Sequence, residues 1–168
     1  RFLYTDYLDL GLAHRPASRD VLFIGLGGGS SPKRMWRDFP RLRLQAAELD
    51  SDVVDAAYRW FALPRDRRLA VDVDDGRRWL TRNEKRWDVI VIDAFYADSI
   101  PFHLATREFL QLVRERLAPG GVVVVNVIGA VTGSESKLLR SLTKTYRSAF
   151  PTVLLYPVFE SEGDRNPT

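Results

Sequence analysis

Residues 21–32, VLFIGLGGGSSP, restrict what this chain can fold into more than any other stretch. An apolar run of strand length breaks into Gly25, Gly27 and Gly29, and Pro32 then opens a helical pattern. Glycine carries no Cβ and accepts positive φ, so the chain can turn tightly and let a ligand approach the backbone. Ser31 reads as the N-cap and Pro32 as the first helical residue, which aims the unpaired N–H groups of a helix start at that ligand. About twenty residues further on, where an acid would reach a ribose diol, a second strand-like run, LRLQAAELD, ends at Glu48. Together the two features predict a Rossmann-like nucleoside-binding unit.

The rest of the chain repeats the alternation. Strand patterns fall at 20–25, 43–48, 69–73, 88–93, 121–128 and 152–158. The fourth and fifth are almost continuously apolar, as expected of strands buried on both faces of a parallel sheet. Helical patterns lie between them, at 51–61, 76–82, after Thr106 and at 134–149, with a leading helix over 2–12. Asp50 or Ser51 should cap the first of these, and Thr106 the third, whose buried stripe is Phe109, Leu110, Val113 and Leu117. Pro119-Gly120-Gly121 should close it. This pattern predicts an α/β fold: a doubly wound, mostly parallel sheet in a three-layer α/β/α sandwich, strand order 3-2-1-4-5 and then 6. Ligands of such sheets bind at the carboxyl ends of the strands.

Composition narrows the function. A chain of 168 residues reads as a single domain over 1–168. The sequence pI of about 9.4 suggests nucleic acid, but the net charge is only +3 and no basic stripe with interleaved aromatics appears, so no nucleic-acid partner is expected. There is no cysteine, and two histidines among scattered acids show no metal-ligand spacing. No membrane span or signal peptide is visible, and a cytoplasmic location is expected.

Taken together, the strand ends supply Gly25, Gly27 and Gly29, then Glu48, then Asp74-Asp75-Gly76, then Asp93. Carboxylates clustered at one sheet edge are costly unless something binds them, and a nucleoside, a sulfonium or an ammonium would. The series VLFIGLGGGS, AAELD, VDVDDGRRWL, RWDVIVIDAF and LAPGGVVVVNV, with TREFLQLVRERLAPGG, resembles the spermidine synthase (polyamine aminopropyltransferase) family, whose fold is that of class I AdoMet-dependent methyltransferases. The likeness runs from about residue 4 to residue 158.

The resemblance implies that Glu48 binds the ribose, that Asp75 contacts the adenine amino group, and that Asp93 lines the amine pocket as the first acid of the D-S/T-x-D-P motif. It implies decarboxylated AdoMet or AdoMet as co-substrate, no metal, a putrescine-like amine as acceptor, and room for a homodimer. It also implies a longer protein, with an N-terminal β-strand domain and a last strand that this sequence does not contain. Two positions depart from the family. Gly28 stands where its glycine loop carries an aspartate for the aminopropyl ammonium, and Tyr96 stands where D-S/T-x-D-P carries its second acid. Asp98 is the nearest substitute, so the expected catalytic set is Asp93, Asp98 and Tyr96.

Other residues carry plainer expectations. Asp74 reads as a turn residue, His103 as a loop histidine packing beside Phe102, and Tyr4 and Tyr7 as helix packing. Trp36, Trp60, Trp79 and Trp87 should pack helices on the sheet, and Asn126 should be a hydrogen-bonded structural residue. Three alternatives remain: an AdoMet-dependent methyltransferase, a non-catalytic nucleoside-binding domain, and an NAD-dependent dehydrogenase. The last is disfavoured because Ser30 stands where G-x-G-x-x-G needs Gly or Ala.

Overall fold

The structure, a computed structural model, describes residues 4–95 and 101–158. Five strands, β1 Asp20–Ile24, β2 Arg43–Glu48, β3 Leu69–Val73, β4 Trp87–Ile92 and β5 Leu117–Val125, form one sheet in the order β3-β2-β1-β4-β5. Every pairing is parallel, and Phe23 of β1 stands beside Ala46 of β2 and Val91 of β4. The predicted order holds through the fifth strand.

Alternation along the central strands builds the two cores. Val21 and Phe23 of β1, with Val89 and Val91 of β4, face the helices α1 Tyr4–Tyr7, α2 Leu10–His14, α3 Ser30–Asp38 and α4 Ser51–Arg59, where Leu12, Met35, Val54 and Ala57 are buried. Leu22, Ile24, Ile90 and Ile92 face the other way, onto α5 Gly76–Arg82, α6 Arg107–Glu115 and α7 Lys137–Ala149, where Leu80, Phe109, Leu110 and Tyr146 are buried. Each such side chain contributes about 1.5–3 kcal/mol when fully buried. That is why the runs at β1 and β4 are continuously apolar, as read from the sequence. No helix among the described residues is long and apolar enough to cross a membrane.

Caps fix the helix starts. The Asp50 side chain accepts from the Asp52 N–H, Asp75 from the Arg78 N–H and Thr106 from the Phe109 N–H. Several boundaries depart from expectation. Helix α3 begins at Ser30 behind Gly29, whose φ of 70° is left-handed, so Ser31 lies buried inside the first turn rather than capping it. The leading helix is two pieces. Gly11 lies so close to the sheet that a Cβ would stand 2.7 Å from Val89 and 2.8 Å from Val124, while Arg34 of α3 ties down Asp6 and Asp9. Leu117 leaves α6 to start β5, and Pro119-Gly120-Gly121 lies inside that strand, where the pairing to β4 shifts register. Residues 152–158 make no ladder among the described residues, so the sixth strand is not formed there: Leu154 and Leu155 are 57% and 52% exposed. Apolar β-branched composition favours a strand, but a strand needs a partner's N–H and C=O groups, and Pro157 donates none. Trp79 and Trp87 are buried against each other, whereas Trp60, just past the end of α4, is 81% exposed and packs no helix on the sheet.

Candidate nucleoside-binding site

The carboxyl ends of β1 to β4 meet along one edge. Gly25, Gly27 and Gly29 turn the chain out of β1 with φ of 94°, 52° and 70°. At Gly25 two constraints coincide: the positive φ, and an absent Cβ that would otherwise run into the carbonyl oxygen of Asp93. The β1 turn therefore lies directly against the first residue after β4. Gly76 plays the matching part at α5, where a Cβ would collide with Ile24.

Glu48 is joined to the glycine turn. Its Oε2 accepts from the backbone N–H of Leu26 at 2.7 Å and, longer, of Gly27 at 3.4 Å, and its Oε1 accepts from Asp50 N–H at 3.2 Å. Two backbone N–H groups of the glycine turn are thus held by the acid expected to bind the ribose. Both ends of this contact were legible in the sequence, but the contact was not. A carboxylate oxygen has further lone-pair capacity. Glu48 can therefore hold the turn and accept from a diol together. Leu49, next in the chain, is 66% exposed at the same edge.

Asp74 and Asp75 divide their work. Asp74 accepts from the Asp75 N–H at 2.8 Å and pairs with Arg78 and Arg82. The Arg78 guanidinium holds its carboxyl below the usual aspartate range. It is the turn residue expected. Asp75 caps α5 through Oδ1, and its Oδ2 lies 2.9 Å from Nε2 of His103. That histidine sits in a 3₁₀ turn, Phe102–Leu104, pinned by buried Leu104. Packing beside Phe102 was expected, but Phe102 is 86% exposed and the imidazole goes to Asp75 instead.

Asp93 is half-buried and accepts from Nδ2 of Asn126 at 3.0 Å across the ends of β4 and β5. Burial raises its pKa above the usual aspartate value, and the Asn126 hydrogen bond offsets part of the rise. Asn126 is thus hydrogen-bonded, as read, and its partner is the candidate acid itself. Tyr4 packs against the core from α1, as expected. Its phenol pKa is raised by burial and then by the Asp93 charge, so α1 delivers it to the electrostatic neighbourhood of that carboxylate. The sequence carried no signal for this approach, which depends on how α1 lies over the sheet. Tyr96 and Asp98 lie outside the described residues. At Gly28, the departure from the aspartate-bearing loop, a Cβ would stand 3.1 Å from the Phe61 ring. Among the described residues no three His, Asp or Glu side chains gather as metal ligands. A cavity of about 380 Å³ lies at the other end of the sheet, lined by Asp9, Leu12, Pro16, Phe39 and Leu42, apart from all these groups.

The chain and its fold have counterparts among known proteins. The family model of the spermine/spermidine synthase domain matches residues 2–160. The polyamine aminopropyltransferase of Vibrio vulnificus is 34% identical over 167 residues, which is 98% of this chain. The chain spans 54% of that relative's length. Among solved structures, a probable spermidine synthase from Corynebacterium glutamicum aligns with a TM-score of 0.79 at 25% identity, covering 90% of this chain and 56% of that one. Human methyltransferase-like protein 13 in complex with SAH aligns with a TM-score of 0.76 at 26% identity, covering 93% of this chain and 76% of that one. The fold is therefore shared by both kinds of enzyme, and with the family model's match running over every described residue, this chain belongs to the spermine/spermidine synthase domain family.

Proposed function

We propose that this domain transfers an aminopropyl group from decarboxylated AdoMet to a putrescine-like amine. The carrying observation is the row of strand-end groups, with Glu48 on the glycine turn, Asp75 at the head of α5, and Asp93 beside Asn126. In this reading Gly25, Gly27 and Gly29 let the donor approach the backbone, Glu48 accepts from the ribose hydroxyls, and Asp75 accepts from the adenine amino group. Asp93 takes the amine side, with Tyr96 and Asp98 from the following segment.

The reaction is a displacement at the carbon beside a sulfonium. The amine nitrogen forms a bond to that carbon as the C–S bond breaks, and the sulfur keeps the electron pair and leaves as methylthioadenosine. The leaving group is activated already, so the protein has to align the amine and take its proton. A carboxylate made more basic by burial suits that task, and it also attracts a polyamine cation.

A second reading rests on Gly28. An aspartate there would press on Phe61, and the loop offers no carboxylate to a donor ammonium. This favours intact AdoMet and hence methyl transfer. Incubation with each donor and putrescine, read by mass spectrometry, separates the readings. The proposal predicts a mass gain equal to an aminopropyl group, with transfer reduced at least about a hundredfold by Asp93→Asn. A methyl gain from AdoMet, or aminopropyl transfer untouched in both Asp93→Asn and Asp98→Asn, would count against it.

A further inference from the structure

His103 was absorbed by none of the roles above, yet among the described residues it makes the one side-chain contact that reaches the candidate base-binding acid from another element. We infer that His103 is a positioning residue that sets the Asp75 carboxylate for recognition of an exocyclic amino group on the base, an inference that rests on the nucleoside reading of the site. The ring atom Nε2 is 2.9 Å from Oδ2 of Asp75. An ionised carboxylate can only accept, so Nε2 carries the hydrogen and donates it. The other oxygen, Oδ1, accepts from the Arg78 N–H at 2.9 Å. One donor from the helix and one from the following crossover therefore fix both oxygens, and with them the carboxylate plane.

The turn that carries His103 is itself held to α5. Arg77 donates to the His103 carbonyl at 3.2 Å and to Thr106 Oγ1 at 3.4 Å, and Thr106 caps α6. A histidine needed only to dock this turn would be redundant with Arg77 and buried Leu104. What His103 adds is direction. With both oxygens tied, the remaining lone pairs of Asp75 keep one orientation, and a base presenting N–H donors satisfies them where a base presenting a carbonyl oxygen repels them.

The test measures binding of 5′-methylthioadenosine and its 6-oxo analogue 5′-methylthioinosine to the chain and to His103→Ala, His103→Phe and His103→Gln, with thermal midpoints recorded for each. Glutamine retains a donor at a similar reach, whereas phenylalanine retains the bulk alone. The expected result is a preference for the adenine compound that falls about tenfold in His103→Ala and His103→Phe and returns in His103→Gln. If His103→Ala does not fold, the phenylalanine and glutamine variants decide. Unchanged preference in His103→Phe, or equal loss of both nucleosides in His103→Phe and His103→Gln, overturns the positioning role. Failure of the unmodified chain to bind either nucleoside instead overturns the nucleoside reading beneath it.

Discussion

At the scale of single residues, the site is made of groups with two obligations. Gly25 must take a left-handed φ and leave room for the Asp93 carbonyl. Gly25→Ala should cost about 2–3 kcal/mol in denaturant unfolding, since strain and collision act together. Asp93 is the opposite case, a residue whose proposed role opposes stability. Its folded pKa is raised by burial, so folding favours its protonated form. The stability linked to it is present at acid pH and is lost as pH rises through the folded pKa. Asp93→Asn should therefore unfold at a higher temperature than the unmodified chain near pH 7, while aminopropyl transfer falls at least about a hundredfold. The difference should shrink on acidification, and a variant less stable at pH 7 would contradict the burial argument. Of these residues the sequence exposed the types and the spacing, because strand ends in a doubly wound sheet converge. It did not expose the Asp93 charge acting on Tyr4, Glu48 on Leu26 N–H, or His103 on Asp75, because each joins elements whose separation along the chain says nothing of their distance in space.

At the scale of elements, the far end of the sheet shows what holds the strands in register. Asp88, at the start of β4, accepts from the Arg19 and Asp20 N–H groups at 2.8 and 3.1 Å and pairs with Arg15 at 2.7 Å. Burial works against its charge, yet these donors prevail and bring its pKa below the ordinary aspartate value. A depressed carboxyl contributes stability that is full above the unfolded pKa and is lost as pH falls through the folded one. Asp88→Asn should lower stability by about 1–2 kcal/mol at pH 7, and urea titrations at descending pH should show the deficit fading. An equal deficit at pH 7 and in acid would mean that the carboxylate charge plays no part. Elements with a continuous apolar run or a capping acid were legible, as at β1, β4, α4 and α5. Those set by contact with something else were not: α2 starts where Gly11 meets Val89 and Val124, and β5 begins at Leu117 because Trp87 pairs with it before the register shifts.

At the scale of the whole molecule, the order β3-β2-β1-β4-β5 puts the two most buried strands in the centre and brings the ends of four strands to one edge. That much follows from a hydrophobic pattern and the handedness of parallel connections. The sixth strand did not follow, because the apolar residues 152–158 find no ladder beside β5. Membership of the spermine/spermidine synthase domain family fits the same edge, and the likeness to a methyltransferase of the same fold explains why sequence pattern alone leaves the transferred group open. The claim common to both readings is that the edge binds an adenosine carrying sulfur at C5′, through Glu48. Calorimetric titration with 5′-methylthioadenosine and with NAD tests it directly. One-to-one binding of methylthioadenosine is expected, weakened at least about tenfold by Glu48→Ala, with no binding of NAD. Binding of NAD without methylthioadenosine, or full methylthioadenosine affinity in Glu48→Ala, would contradict it.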